Sequence, residues 1–242
     1  MVNDLTVTNV YRATLGELSR RYPVLEKLTS YEDMELEHRL WERDTFQSYD
    51  IQCVFIGKTG YGKSSALNSI IGKGVFATSS IASTTKQAQA ADFSIDLKKN
   101  HYFSIADLPG IGESLGNDKK YMKLYSEILK KSDCVVYMLR ADQRDYSIDL
   151  ASIESLSINR SKMIIGLNFC DKIEPINRML PFKPSGQQHR NLDLKKDIIA
   201  ALFKMSKSNI IEISASDNWR IDSLIEKIYN VSILDTNVIN DE

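Results

Sequence analysis

The sequence predicts an α/β fold, with a mostly parallel six-stranded sheet, helices on both faces and an N-terminal helical extension. Three observations point there. From residue 51 onward, short runs rich in β-branched residues alternate with amphipathic runs of helical period. A glycine-rich turn follows the first of those short runs and opens a helical one. The chain has 242 residues, 43% hydrophobic and 26% charged, with only 11 glycines and 5 prolines, so it can bury a core and devotes little length to loops.

Taken in order, residues 1–48 read as a polar helical extension. Leu15, Leu18, Tyr22 and Leu25 recur at helical spacing, and a second stretch after Ser30 carries Met34, Leu40 and Trp41. Pro23 marks the break between the two. Residues 49–232 form the second unit, and 233–242 a C-terminal tail. Strands are expected at 51–56, 92–97, 101–106, 134–139, 163–168 and 209–214. Helices are expected at 64–71, around Tyr121, Leu124, Tyr125, Ile128 and Leu129, around Ile198, Ile199, Leu202 and Phe203, and around Ile221, Leu224, Ile225 and Ile228. Ser216 or Asp217 would cap the last of them. Residues 172–191 hold three of the five prolines and read as a long surface loop.

Composition excludes several classes. Lys plus Arg number 31 against 32 for Asp plus Glu, a net charge of −1, which argues against a dominant polyanion-binding surface. Cys53, Cys134 and Cys170 lie far apart with no metal-ligand spacing and read as thiols in a reducing cytoplasm. The longest apolar run, 134–139, is far shorter than the ~18 residues of a membrane helix. The N-terminus has no basic start followed by an apolar block. A soluble cytoplasmic protein is expected, with peripheral membrane contact left open.

Chemistry concentrates in Gly57-Lys58-Thr59-Gly60-Tyr61-Gly62-Lys63-Ser64, followed by Ser65 and a helix. The glycines let successive backbone N–H groups turn inward onto phosphate oxygens, and the helix N-terminus adds partial positive charge. Lys63 supplies a cation for β- and γ-phosphates, and the Ser64 hydroxyl suits Mg2+. Lys58 reads as solvated. Asp107-Leu108-Pro109-Gly110 ends the strand at 101–106. An acid there stands where open α/β sheets bind ligands. Asp107 would hold the magnesium shell, and Gly110 would offer its N–H to the γ-phosphate. Ser83-Thr84-Thr85-Lys86 lies between the two boxes, and Thr85 is preferred to Thr84 for closing over Mg2+ and the γ-phosphate. Two further strands end in Asn168-Phe169-Cys170-Asp171 and in Ser214-Ala215-Ser216. The Asp171 carboxylate can accept hydrogen bonds from N1 and N2 of guanine, which adenine cannot donate.

These boxes, in this order over about residues 50–232, resemble the TRAFAC-class P-loop GTPases. The phosphate loop with its DLPG box looks most like the Era/septin-side branch. The run Asp171-Lys172-Ile173-Glu174-Pro175 is similar to bacterial Era-like proteins with a 50S ribosome-binding-GTPase type of G domain. The resemblance implies bound GTP or GDP, with Mg2+ held by Ser64, Thr85 and Asp107. It implies a base fixed by Asn168 and Asp171, beside Phe169 and the loop of Ser214, Ala215 and Ser216, with the Ala215 N–H on the guanine oxygen. Three positions depart from the pattern. Phe169 replaces the usual lysine, and its ring can cover the base. Ile111 stands where a water-orienting glutamine often stands, and Gly60 where some relatives carry a potassium-binding asparagine.

The resulting expectation is a magnesium-dependent GTP-hydrolysing switch with slow intrinsic turnover. The alternatives are a nucleotide-dependent assembly module with negligible hydrolysis, or ATP in place of GTP. No catalytic group is assigned; Thr85, Gly110 and Glu113 are the nearest candidates, and Arg140 and Arg144 are not expected to reach the γ-phosphate. A protein partner or a second copy would use the nucleotide face or the N-terminal helices. Lys172, Arg178, Lys183, His189 and Arg190 in the 172–191 loop could suit ribosomal RNA, against a plain solvated loop.

Overall fold

The computed structural model describes residues 8–28, 49–78, 88–96, 101–110, 125–176 and 179–234. The strands are β1 (Thr8–Thr14), β2 (Tyr49–Ile56), β3 (Gln89–Asp96), β4 (His101–Asp107), β5 (Cys134–Arg140), β6 (Met163–Asn168) and β7 (Ile210–Glu212). They form one seven-stranded sheet in the order β1-β3-β4-β2-β5-β6-β7. Every neighbouring pair is parallel except β3 and β4. The helices used below are α1 (Leu15–Ser19), α2 (Lys63–Ile71), α3 (Ser147–Ser155), α4 (Gly186–Phe203) and α5 (Ile221–Leu234).

Burial follows from the residue pattern. Cys53, Val54, Phe55 and Ile56 of β2 are all buried. Successive strand residues point to opposite faces, so both faces of the sheet are covered at its centre. In α5, Ile221, Leu224, Ile225 and Ile228 recur at helical spacing and pack against β2, β5 and β6.

The seventh strand corrects the expected count of six. Thr8–Thr14 falls in the segment read as helical, yet it pairs parallel to β3 at the sheet edge. Its sequence, TNVYRAT, is rich in β-branched and aromatic residues, which suit a half-buried strand. Tyr11 packs on Phe93 at a centroid distance of 5.9 Å. Asp92 accepts from the Asn9 amide and from the Ser104 hydroxyl. Burial raises the Asp92 carboxyl pKa above its ordinary value, against the pull of Ser104 and Arg12. The helical spacing of Leu15 and Leu18 is realised in α1, and Pro23 opens a short 3-10 helix, Pro23–Leu28, that buries Leu25. Met34, Leu40 and Trp41 lie outside the described residues.

Three other elements differ from expectation. Helix α3 was not anticipated, because Ile148 is 57% exposed while Ile153 is buried, and no apolar stripe marks the helix. Helix α4 begins inside the stretch read as loop. Ser185 caps it in a capping box with Gln188, and the buried Gln188 amide donates to the Ile173 carbonyl at 3.0 Å. Phe182, also in that stretch, is buried edge-on against Trp219 at 5.3 Å. Helix α5 starts at Ile221, so Ser216 and Asp217 lie in the preceding turn and do not cap it.

Candidate nucleotide site

The site lies at the carboxyl ends of β2, β4 and β6, where the strands of an open α/β sheet hand over to loops. After β2 the chain turns through positive φ at Gly57, Gly60 and Gly62. Gly62 is required twice over. Its φ is +84°, and a Cβ there would stand 2.2 Å from Nδ2 of Asn168. It also occupies the N-cap of α2, so no side-chain oxygen competes for the first amides of that helix. Lys63 is buried, and its ammonium donates to the carbonyls of Gly57 at 3.0 Å and Lys58 at 3.2 Å. The Ser64 hydroxyl donates to the Asp107 carboxylate at the end of β4, and Asp107 is fully buried. Ser65 is half-buried in the first turn of α2. Gly110 presses on the phosphate loop: a Cβ there would stand 1.9 Å from the Thr59 hydroxyl oxygen. The Tyr125 hydroxyl holds that segment by donating to the Pro109 carbonyl.

The second half of the site comes from the loops after β6 and β7. Asn168 is 3% exposed, and its side chain joins three loops. Its Nδ2 donates to the Tyr61 carbonyl at 3.2 Å, and its Oδ1 accepts from the Ala215 amide at 3.0 Å. Asp171 accepts from the Ser214 hydroxyl at 2.9 Å and pairs with Lys172 at 2.9 Å. Ser214 also lies 2.6 Å from a carboxylate oxygen of Asp217 and 3.1 Å from the Ser216 hydroxyl. Its single proton therefore serves one acceptor at a time. Phe169 adopts φ +63°, and the Arg140 guanidinium lies 4.1 Å from its ring centroid. Arg140 also reaches the Gly60 carbonyl at 3.5 Å and grips Asp142 at 2.7 and 3.0 Å.

A strand, a glycine turn and a helix that opens on Lys63, with Ser64 on Asp107, are thus joined to an asparagine–aspartate loop by one buried side chain. The family model for the 50S ribosome-binding GTPase matches residues 52–169. The match covers just under half of the chain and, with the relatives below, supports a bacterial P-loop GTPase of the TRAFAC class. The chain is 26% identical over 194 residues to an uncharacterised Escherichia coli protein, YkfA, covering 79% of the chain and 66% of that relative. It is 30% identical over 197 residues to the GTPase Der of Finegoldia magna, covering 77% of the chain and 41% of Der. Era in complex with MgGDPNP and 16S ribosomal RNA nucleotides shares the fold, with a TM-score of 0.59 at 22% identity over 75% of this chain and 56% of that one. The chain thus spans less than two thirds of the length of these relatives.

Ser64 and Asp107 bring a hydroxyl and a carboxylate side by side at the loop mouth. Hard oxygen donors of this kind, completed by phosphate oxygens, fit Mg2+. Thr85 and the rest of Ser83-Thr84-Thr85-Lys86, together with Ile111 and Glu113, lie outside the described residues. Lys58 is not solvated as expected. Its ammonium pairs with the fully buried Asp149 at 3.0 Å. Burial lowers the Lys58 pKa, but pairing with Tyr61 and Asp149 outweighs it and leaves the ammonium above its ordinary value. Asp149, Gln143 and Arg140 reach this GTPase site from outside every motif. Their only sequence signal is position, shortly after a buried strand that neighbours the phosphate loop.

No helix among the described residues is long and apolar enough to cross a membrane. Cys53, Cys134 and Cys170 are free and buried.

Proposed function

We propose that the chain binds GTP and GDP with Mg2+ in the cytoplasm and hydrolyses GTP to GDP and phosphate slowly, as a molecular switch. The observation that carries this reading is the Asn168 bridge, which ties the phosphate loop to the Ala215 loop through one buried side chain. A nucleoside phosphate needs its two ends held at a fixed separation, and this bridge supplies it.

On binding, Lys63 reaches phosphate oxygens, a charge-assisted and therefore strong contact, while the Gly57 and Lys58 carbonyls still seat its ammonium. Ser64 and Asp107, with Thr85, would hold Mg2+, which when bound neutralises phosphate charge. Asp171 gives up Ser214 and Lys172 to accept the two guanine N–H groups, which adenine lacks. Phe169, with Arg140 behind it, replaces the usual lysine as a platform beside the base. Water attacks the γ-phosphorus as the bond to the bridging oxygen breaks. The Ile111 side chain has no hydrogen-bonding group to orient that water, and Arg140 is committed to Asp142 and the Phe169 ring. Unassisted Ras hydrolyses GTP at roughly 10⁻⁴ per second, and an added arginine raises this about 10⁵-fold. A protein partner or a second copy across the nucleotide face would supply the missing group here. Ribosomal RNA is a weaker reading, because the chain as a whole carries a net charge of −1 and no basic excess.

Steady-state phosphate release over a range of protein concentrations tests the proposal. Slow release that rises with concentration or partner, and is lost in Lys63→Ala, supports it. Tight GTP binding without phosphate release supports the assembly-module alternative, and ADP bound as tightly as GDP overturns the guanine reading.

A further inference from the structure

Asp149 is a carboxylate on helix α3 with no solvent exposure. A buried carboxylate costs several kcal/mol unless it is closely paired, so its partners show what it is for. The Tyr137 hydroxyl donates to one oxygen at 3.1 Å. The other oxygen receives the Lys58 ammonium at 3.0 Å, the Gln143 amide at 3.2 Å and the Tyr61 hydroxyl at 3.4 Å. The single Tyr61 proton is shared between that oxygen and the Gln143 side-chain Oε1, the nearer acceptor, so Gln143 braces the same group.

Lys58 and Tyr61 flank the crest of the phosphate loop, and the main-chain oxygen of each is already in use. The Lys58 carbonyl accepts from Lys63 at 3.2 Å, and the Tyr61 carbonyl accepts from Asn168 at 3.2 Å. The two residues that Asp149 grips by their side chains therefore also hold the site by their backbones: Lys58, together with Gly57, seats the phosphate lysine, and Tyr61 seats the base-side bridge. The loop crest also closes on itself through the Tyr61 amide and the Lys58 carbonyl at 3.3 Å. Moving either side chain displaces an oxygen that a nucleotide-contacting residue depends on. The carboxylate lies in the first turn of α3, where the helix dipole favours its charge.

We propose that Asp149 is a positioning residue for the phosphate loop, a buried anchor through which helix α3 sets the lifetime of the bound nucleotide. It touches no nucleotide itself; it acts through Lys58 and Tyr61. The proposal rests on the guanine-nucleotide reading given above.

The test is the dissociation rate of a fluorescent GDP, measured by stopped flow on the full chain. Asp149→Asn should speed release about tenfold, the scale of one lost charge-assisted hydrogen bond. The same substitution in a Lys58→Met, Tyr61→Phe background should speed it no more than about twofold, because the anchored groups are already gone. A mere packing role would accelerate release equally in both backgrounds, and that result overturns the proposal, as does an unchanged rate in Asp149→Asn. If Asp149→Asn fails to fold, Lys58→Met and Tyr61→Phe decide singly: faster release in each supports the anchor, and unchanged release in both overturns it. A wild type that binds no GDP overturns the nucleotide reading and this inference together. A wild type that binds GDP and is indifferent to these changes overturns this inference alone.

Discussion

The phosphate end and the base end of the site are built by different means. At the phosphate end most of the working groups come from one contiguous loop, 57–64, which is held largely by backbone: Lys63 sits on two loop carbonyls, and only the Asp107–Gly110 turn is added from elsewhere. At the base end the working groups are side chains gathered from separate strand ends and loops, with Asn168 closing β6 and Asp171 after it, Ser214 after β7, and Arg140 closing β5. The first arrangement tolerates almost no substitution, because backbone curvature is what binds. The second tolerates exchange, because an apolar ring with a guanidinium behind it can stand where a lysine usually stands.

The sharpest way to break this contrast is at Gly62. Gly62→Ala places a methyl group 2.2 Å from Asn168 and forces positive φ on a residue with a Cβ. Calorimetry should show GDP affinity lost altogether, with the melting temperature lowered. Gly60→Ala is the control: it meets nothing within 4 Å, so only the backbone cost of roughly 1–2 kcal/mol applies. Equal losses at the two positions would deny the close approach between loop and asparagine.

The base end should yield a change of preference more than a collapse. Asp171→Asn reverses one hydrogen-bond polarity, and competition assays should show preference moving from guanine toward xanthine nucleotides. The loss for GDP should be about 1.5–3 kcal/mol, the worth of hydrogen bonds to a charged group. Smaller still, Arg140→Ala removes the guanidinium from the Phe169 ring, and a cation–π contact at a half-exposed site is worth about 0.5–2 kcal/mol. GDP should bind several-fold more weakly, with the rate of phosphate release at saturation unchanged.

The smallest effect belongs to the Arg140–Asp142 pair. The hydrogen bond from Arg140 holds the Asp142 carboxyl below its ordinary pKa, partly offset by burial. A lowered carboxylate pKa stabilises the fold above the unfolded value near about 3.9, and the contribution vanishes as pH falls through the lower folded value. Both side chains are about a third exposed, so screening keeps the effect under ~1 kcal/mol. Melting temperatures of wild type and Asp142→Asn should differ slightly at neutral pH and converge near pH 3 or in molar salt.

The same division explains what could be read in advance. Strand alternation, the glycine turn and the order of the boxes are local patterns, and they are visible without coordinates. Thr8–Thr14 was masked by the helical spacing of Leu15, Leu18 and Leu25 that follows it, although its own β-branched residues carried the signal. The start of α4 was hidden by the prolines before it, while Ser185 and Gln188 spelled its cap. Asp149 could not be read at all. Its role depends on Lys58, Tyr61, Tyr137 and Gln143 converging in space, and no spacing encodes that.

Strand β1 has a consequence for the order of folding. Asn9 and Asp92, bonded across the edge pair, lie 83 positions apart in the chain. Strand β1 leaves the ribosome before the other described strands, but its partner β3 is held by β4, which is held in turn by β2. The central β2–β5 pairing, Cys53 with Cys134, closes a loop of similar length, so it is the position at the sheet edge, not loop length, that sets β1 apart. The earliest of the described strands to be synthesised must therefore wait for β3 to be made and placed before it can join the sheet. Until then the β3 edge stands open to any other extended chain.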